Sequence, residues 1–135
     1  PVEISKEQAS LSAYYNKHGK TMLADYLQTE IEKGERIVCR NKSFIALVPF
    51  WAVWPFETMI ISKRAITNLA GLEENEKNDL ADIYRQITTR YDNLFETSFP
   101  YSMGFHQAPT DGMEHPEWHL HIHFYPPLLR SAGTG

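Results

Sequence analysis

The sequence predicts an α+β domain in which helices pack on a mostly antiparallel sheet of about five strands. Two observations favour this class: helical apolar spacing recurs near the start and in the middle of the chain, and short extended segments follow each helical part. Size is a third observation, because 135 residues with 42% hydrophobic and 13% aromatic side chains suffice for one domain, residues 1–135, with a sizeable core.

Three helices are predicted from apolar residues that recur on one side of a 3.6-residue repeat. Their expected ranges are about 5–15, 21–33 and 74–95. The first begins with Ser5 as its cap and Gln8 three positions later, which is the spacing of a capping box. Gly19 and Gly34 are expected to end the first two helices, because glycine is favoured just after a helix.

Five strands are predicted from short extended segments at 36–40, 44–48, 56–62, 101–108 and 118–125. A turn at Asn41–Ser43 separates the first two. Pro49 and Pro55 bracket an aromatic connection that contains Trp51 and Trp54. Because proline cannot donate a hydrogen bond to a neighbouring strand, this connection is predicted to lie outside the centre of the sheet.

The charge balance and the hydropathy exclude several classes of function. Thirteen Lys and Arg residues stand against 17 Asp and Glu residues, and the resulting net charge of −4 offers no basic excess for nucleic acid. The longest apolar run, 44–54, is interrupted by Pro49 and is about half as long as a membrane span, so no membrane partner is expected. One cysteine, Cys39, and the lack of a signal-peptide pattern favour a cytoplasmic location.

The two ends of the sequence indicate a piece of a longer protein. The chain opens with Pro1 rather than Met, and residues 131–135 follow no helix or strand pattern. Part of the function is therefore expected to lie outside this sequence.

Five of the six histidines fall between residues 106 and 123. His119, His121 and His123 occupy alternate positions of the last predicted strand. Because successive side chains of a strand point to opposite faces, the three imidazoles are expected to share one face. The residues expected to enter the core between them are Leu120, Ile122 and Phe124.

This spacing predicts part of a metal site. Two imidazoles about 6.8 Å apart along a strand can lean toward one metal ion at about 2.0–2.1 Å. His106, on the preceding predicted strand, is the expected third partner, and imidazole with a carboxylate suits zinc or iron. Spacing alone leaves four oxygen donors open: Glu3, Glu7, Glu114 and Glu117.

The same histidines also fit a nucleophilic use, because a neutral imidazole can attack phosphorus and form a nucleotidyl-enzyme. Residues 119–125 match His-φ-His-φ-His-φ-φ, where φ is apolar. In this they resemble the histidine-triad family of nucleotide hydrolases and transferases, and the resemblance implies His121 as the nucleophile. The remaining histidines are expected to have ordinary roles, with His18 favouring the end of the first helix and His115 solvated in a loop.

Three longer segments, 44–56, 90–109 and 118–132, closely resemble the C-terminal half of the galactose-1-phosphate uridylyltransferase family. The most specific tract, residues 121–132, reads His-Ile-His-Phe-Tyr-Pro-Pro-Leu-Leu-Arg-Ser-Ala. The resemblance implies a histidine-triad-like domain, the second of two in one chain. It also implies a homodimeric enzyme of galactose metabolism, which moves UMP from UDP-glucose to galactose 1-phosphate through a uridylyl-histidine.

The resemblance further implies a structural iron or zinc site made of one glutamate and three histidines. The family's glutamate lies in the helix soon after the catalytic segment, in a context that Glu7 matches. His106 matches the histidine of Met-Gly-aromatic-His-x-Ala-Pro, and His121 and His123 match the pair in Leu-His-x-His-aromatic-Tyr-Pro-Pro. The family pattern and the strand spacing therefore select the same three histidines, and the resemblance adds Glu7.

Two differences from the family bear on activity. The catalytic His-Pro-His-x-Gln segment of the family's N-terminal half has no counterpart here, so this chain alone is expected to be inactive. His119 stands where the family usually has Gln, which restores the full triad pattern. Three hypotheses remain: a uridylyltransferase domain with a structural metal, a stand-alone histidine-triad nucleotide enzyme, and a non-catalytic dimerisation module with its interface at the Trp51 and Trp54 stretch or a sheet edge.

Overall fold

The computed structural model of the protein describes residues 2–52, 56–95 and 102–125, without the side chains of residues 2–7, 94, 95 and 102. These ranges contain three α-helices and five β-strands. In chain order they are α1 (Val2–His18), α2 (Met22–Lys33), β1 (Ile37–Arg40), β2 (Phe44–Leu47), β3 (Thr58–Ser62), α3 (Glu74–Phe95), β4 (Ser102–His106) and β5 (His121–Tyr125). A 3₁₀ turn at Leu69–Gly71 precedes α3.

The five strands form one sheet in the order β1-β2-β3-β5-β4, and every neighbouring pair is antiparallel. The predicted α+β class is therefore confirmed. Strand β5 lies between β3 and β4, so its side chains have neighbours on both sides. Within the described residues, β1 and β4 are the two edges of the sheet.

Helices α3 and α2 cover opposite faces of the sheet, because strand side chains alternate between the faces. On the α3 face the buried cluster includes Phe44, Ile60, Ile83 and Ile87 and, as predicted, Leu120, Ile122 and Phe124. On the α2 face it comprises Leu27, Ile45, Leu47, Met59 and Ile61. Each face of the central strands therefore packs against one helix.

The first helix is longer than predicted at both ends. Its backbone is already helical at Val2, so Ser5 lies inside the helix and the prediction of a cap at Ser5 is wrong. Residues 2–4 contain neither Gly nor Pro, and nothing in them opposes an earlier start. The helix continues past Tyr15 to His18 and ends before Gly19, whose φ of 72° is the left-handed conformation that glycine adopts readily.

Helix α2 has the end residues that the sequence predicts. The Thr21 hydroxyl oxygen accepts the Ala24 N–H at 3.0 Å, which satisfies one of the amides left unpaired at a helix start. Gly34 has a φ of 72° and donates its N–H to the Glu30 carbonyl oxygen at 2.7 Å. The Thr21 hydroxyl also contacts the buried His119, so this contact too holds the start of α2 in place.

The connections between strands agree with the sequence in part. The Asn41 side-chain oxygen accepts the N–H groups of Ser43 and Phe44 at 3.1 and 2.9 Å, which forms the predicted turn. The last strand begins at His121 rather than at residue 118. Trp54 and Pro55 lie outside the described residues. None of the described helices is both long and apolar enough to span a lipid bilayer.

Candidate metal centre

Three histidines meet where strands β4 and β5 pair. His106 lies directly opposite His121, and Gly104 lies opposite His123. His121 and His123 are two positions apart on β5, so their side chains share a face. One nitrogen atom from each of the three rings lies within 4.8 Å of the other two. The sheet therefore brings together three of the four predicted ligands.

This spacing fits a transition-metal ion. Two nitrogens that each lie about 2.0–2.1 Å from one ion are at most about 4.2 Å apart. The observed limit of 4.8 Å is wider than this, so the rings would have to turn toward one another to bind one ion. Imidazole ligands suit both zinc and iron. The three residues thus fit the ion that the family resemblance implies.

The three rings pack on one another in two orientations. His106 and His121 stack with ring centroids 4.5 Å apart and planes inclined by 3°. His123 stands across them, at 71° to His106 and 70° to His121. Because ligand lone pairs lie in the ring plane, His123 would approach an ion from a different direction than the stacked pair, and the parallel rings of His106 and His121 would have to tilt to reach the same ion.

His121 is held as a neutral imidazole. Burial lowers its pKa to about 3, against the opposing effect of a hydrogen bond to the backbone. In that bond Nδ1–H donates to the carbonyl oxygen of His119 at 2.9 Å, which leaves Nε2 as the unprotonated nitrogen. A neutral ring with an accessible lone pair is the form that binds a metal.

His123 has a buried carboxylate beside it. Its Nε2 lies 3.1 Å from Oε2 of Glu57, and the two side chains are 8% and 6% exposed. Burial lowers the pKa of His123, and the hydrogen bond to Glu57 opposes this shift. Glu57 stands two positions before Met59, which pairs with His123, so it belongs to the histidine face. The sequence pattern did not indicate Glu57, whose single signal was an acidic residue at the start of an apolar strand.

Gly104 is a second residue of the site that the sequence pattern did not indicate. A Cβ atom at this position would lie 3.6 Å from Nε2 of His106, and the residue directly opposite is His123. A single Cβ atom would fit there, so Gly104 leaves room beside the rings that only a side chain larger than alanine would fill. The available signal was a glycine inside a predicted strand, which often marks a close approach of other groups.

His119 does not join the cluster of possible metal ligands. The residue precedes β5 and is 2% exposed. Its Nε2–H donates to the Ser62 carbonyl oxygen at 2.8 Å, and its Nδ1 accepts the Thr21 hydroxyl at 2.8 Å. Burial lowers its pKa, which keeps the ring neutral. His119 borders the same cavity as His121, while Leu120 between them enters the core, as the predicted alternation requires. Both ring nitrogens of His119 have other partners, and the residue itself is not part of β5.

The four carboxylates that spacing left open have different environments. Glu7 lies on α1, and its side chain, like that of Glu3, is outside the described part of the structure. Glu114 is exposed. Glu117 is buried and accepts hydrogen bonds from two neighbouring side chains, so it belongs to another network.

That network is centred on His115, which is not solvated as predicted. Its side chain is 9% exposed, with Nε2 2.9 Å from Asp111 and Nδ1 3.0 Å from Glu117. Hydrogen bonds to Asp111 and then to Glu117 raise the pKa of His115. Gln8 of α1 accepts the Trp118 Nε1–H at 2.7 Å and also donates to Glu117. The prediction was wrong because the loop folds against a helix more than 100 residues earlier in the chain.

A cavity of about 220 Å³ opens beside His121. Its apolar lining includes Leu11, Met22, Trp51 and Trp118. The described lining also contains the Glu117 carboxylate but neither lysine nor arginine. Because the phosphates of a nucleotide are held best by cationic side chains, this lining does not favour His121 as a nucleophile toward phosphorus.

Comparison with known proteins identifies the family and supports the fold. Residues 7–135 match the family model described as the C-terminal domain of galactose-1-phosphate uridyl transferase. The galactose-1-phosphate uridylyltransferases of Haemophilus influenzae and Kluyveromyces lactis are 52% and 55% identical over 132 and 135 residues, in each case 98% of this chain. That of Rattus norvegicus is 48% identical over 135 residues, again 98% of this chain. This chain spans 38%, 36% and 36% of the three relatives, little more than a third of their length.

Solved structures share the architecture. A uridylyltransferase structure matches with a TM-score of 0.79 at 31% identity, over 93% of this chain and 39% of that one. An ADP-glucose phosphorylase from Arabidopsis thaliana gives 0.77 at 22% identity, over 95% and 40%. A HIT-family hydrolase from Legionella pneumophila Philadelphia 1 gives 0.54 at 19% identity, over 80% and 93%. The last two likenesses concern the fold alone.

The predicted histidine-triad-like fold is thus confirmed, and the family model extends over nearly all of the chain. Relatives at about half identity cover the same residues. This chain therefore belongs to the family of C-terminal domains of galactose-1-phosphate uridyl transferases.

Proposed function

We propose that residues 1–135 form one metal-binding domain, the C-terminal domain of an enzyme that transfers UMP from UDP-glucose to galactose 1-phosphate. Relatives at 48–55% identity carry the name of that enzyme, which supports this activity and these substrates for the whole protein. The family resemblance also supports a homodimer. A cytoplasmic location accords with the lone cysteine, Cys39, whose side chain is not in a disulfide.

The observation that carries the metal-binding part is the convergence of three imidazoles between two paired strands. Their nitrogens lie within 4.8 Å of one another, and burial keeps His121 neutral. His106, His121 and His123 would hold the ion, and the family resemblance supports Glu7 as the oxygen ligand. Both iron and zinc accept this donor set.

When bound, such an ion would supply a structural cross-link, and its binding would add to the folding free energy. The chain's own residues position the metal ligands. The His119 carbonyl oxygen orients His121, and Gln8 anchors α1 to Trp118, just before β5. This anchor holds the helix that carries Glu7 close to the strand that carries two of the histidines.

Metal analysis of two matched histidine variants tests the proposal. The purified chain is expected to hold about one equivalent of iron or zinc, and His121→Ala is expected to hold almost none. His18→Ala is the control, because His18 is exposed at the end of α1 and should not affect metal content. With free zinc at about 100 times its dissociation constant, the wild-type chain should be stabilised by about 2.7 kcal/mol, whereas His121→Ala should gain nothing.

Equal metal content in wild type and His121→Ala, or no stoichiometric metal in wild type, would contradict the proposal. Incubation with labelled UDP-glucose provides a second readout. A covalent nucleotidyl adduct on His121 would favour the stand-alone nucleotide enzyme instead, because an imidazole bound to metal has its lone pair engaged and cannot attack phosphorus.

A further inference from the structure

Glu57 is a buried carboxylate to which the family resemblance gives no role. Its side chain is 6% exposed, and its Oε2 lies 3.1 Å from Nε2 of His123. Burial of a carboxylate is unfavourable unless hydrogen bonds compensate it. An imidazole N–H supplies one, and a carboxylate behind a metal-binding histidine is a common way to fix the ring and its protonated nitrogen.

The hydrogen bonds of His121 and His123 use different ring nitrogens. His121 donates Nδ1–H to the His119 carbonyl oxygen at 2.9 Å, which leaves its Nε2 unprotonated. His123 donates Nε2–H to Glu57, which leaves its Nδ1 unprotonated. A neutral imidazole has one N–H and one lone pair, so each of these bonds decides which nitrogen can bind an ion.

The ring of His123 is held from a second direction as well. Tyr125 stacks on it with ring centroids 4.8 Å apart and planes inclined by 11°. Stacking fixes the plane of the ring but does not distinguish its two nitrogens. The hydrogen bond to Glu57 makes that distinction.

We propose that Glu57 is a positioning residue of the metal site, which holds His123 in the tautomer that offers Nδ1 to the ion while His121 offers Nε2. The inference rests on the metal binding proposed above. The group of nitrogens within 4.8 Å of one another comprises the three histidines and does not include Glu57. Glu57 therefore acts through His123 and is not itself a ligand.

Three substitutions distinguish the effect of the acceptor oxygen from the effects of charge and of side-chain volume. Glu57→Gln keeps an acceptor oxygen at the same reach and removes the charge. Glu57→Asp keeps the charge but is one methylene shorter. Glu57→Leu has similar volume and no acceptor, and circular dichroism establishes whether this variant folds.

Two measurements on the full chain report the tautomer of His123 and the affinity for zinc. In the metal-free protein, two-bond ¹H–¹⁵N correlation spectra of the imidazoles should show His123 with Nε2 protonated in wild type and Glu57→Gln. The Asp and Leu variants should lose this preference. Zinc titrations should give near wild-type affinity for Glu57→Gln, and affinities about 10–100-fold weaker for the Asp and Leu variants, the usual effect of removing such a support.

Each contrary result has a distinct meaning. Unchanged zinc affinity and tautomer in Glu57→Asp and in any folded Glu57→Leu would overturn the role of Glu57. Lost zinc binding in Glu57→Gln with the tautomer retained would make Glu57 a direct ligand and would also overturn it. A wild-type chain that binds no zinc would overturn the metal site itself, whereas the tautomer spectra, recorded without metal, still report on the hydrogen bond.

Discussion

At the scale of single residues, metal binding is expected to depend on the space between the rings as well as on the ligands. Gly104 lies opposite His123, and a Cβ atom there would be 3.6 Å from Nε2 of His106. This distance is an ordinary contact for one carbon atom. A β-branched side chain would extend further toward the rings. Metal binding should therefore depend on the size of residue 104.

Gly104→Ala is expected to bind zinc about as tightly as wild type, and Gly104→Val at least about 10-fold more weakly, the lower end of the effect seen when a site's support is removed. Valine favours strands more than glycine does, so the Val variant should fold at least as stably without metal. Calorimetric zinc titration measures the first effect and urea unfolding the second. Wild-type zinc affinity in Gly104→Val would show that Gly104 does not shape the site.

His119 contributes to the fold rather than to the metal site. His119→Ala removes the donor to the Ser62 carbonyl oxygen and the acceptor for the Thr21 hydroxyl. Leaving buried groups without a partner costs about 1–3 kcal/mol, which urea unfolding should detect. His119→Gln offers both a donor and an acceptor, so its loss of unfolding free energy should be smaller. Metal content should be unchanged in His119→Gln, and a clear fall would mean that His119 belongs to the site.

At the scale of elements, helix α1 and the segment before β5 are joined by side chains. Gln8 accepts the Trp118 Nε1–H at 2.7 Å, and both Gln8 and His115 donate to Glu117. On its other nitrogen, His115 contacts Asp111 at 2.9 Å. The attachment of α1 to this segment therefore includes one ring whose charge depends on pH.

Stability should depend on pH through His115. Asp111 and Glu117 raise its pKa above the ordinary value of 6.5, so the protonated ring favours the folded state. This stabilisation is fully present below about pH 6.5 and is lost as the pH rises through the higher folded-state pKa. The pKa of Asp111 is lowered mainly by the bond to His115, so its own contribution is lost only in acid, below about pH 4.

The measurement compares urea midpoints of wild type and His115→Asn at pH 6 and pH 9. The difference between the two proteins should be larger at pH 6. Asp111→Asn, which removes the main cause of the raised pKa of His115, should reduce the dependence on pH. If the difference in urea midpoint stays constant or grows toward pH 9, the charge of His115 does not stabilise the attachment of this segment to α1.

The elements themselves could be predicted from the sequence because their signals are local. Thr21 and Gly34 mark the ends of α2, and the alternation along β5 placed His121 and His123 on one face. The roles of His119 and Glu57 could not be predicted, because their partners are set by contacts that cross the sheet. Local alternation identifies a shared face, but it does not show where strand pairing begins.

At the scale of the whole molecule, the candidate site lies beside an edge of the sheet. Among the described strands, β4 pairs with β5 alone, and its Met103 and Phe105 are 38% and 43% exposed. An ion bound by His106 and His121 would link these strands in addition to their antiparallel pairing. The chain spans little more than a third of its relatives, so such a link would fix one domain of a larger protein.

X-ray absorption spectroscopy at the zinc edge of the zinc-loaded chain tests the central claim most directly. We expect one ion with a first shell of nitrogen and oxygen at about 2.0–2.1 Å, with the multiple scattering of three imidazoles. His121→Ala should lose this spectrum, and His18→Ala should keep it. A wild-type spectrum without imidazole scattering, or one that His121→Ala leaves unchanged, would contradict the account.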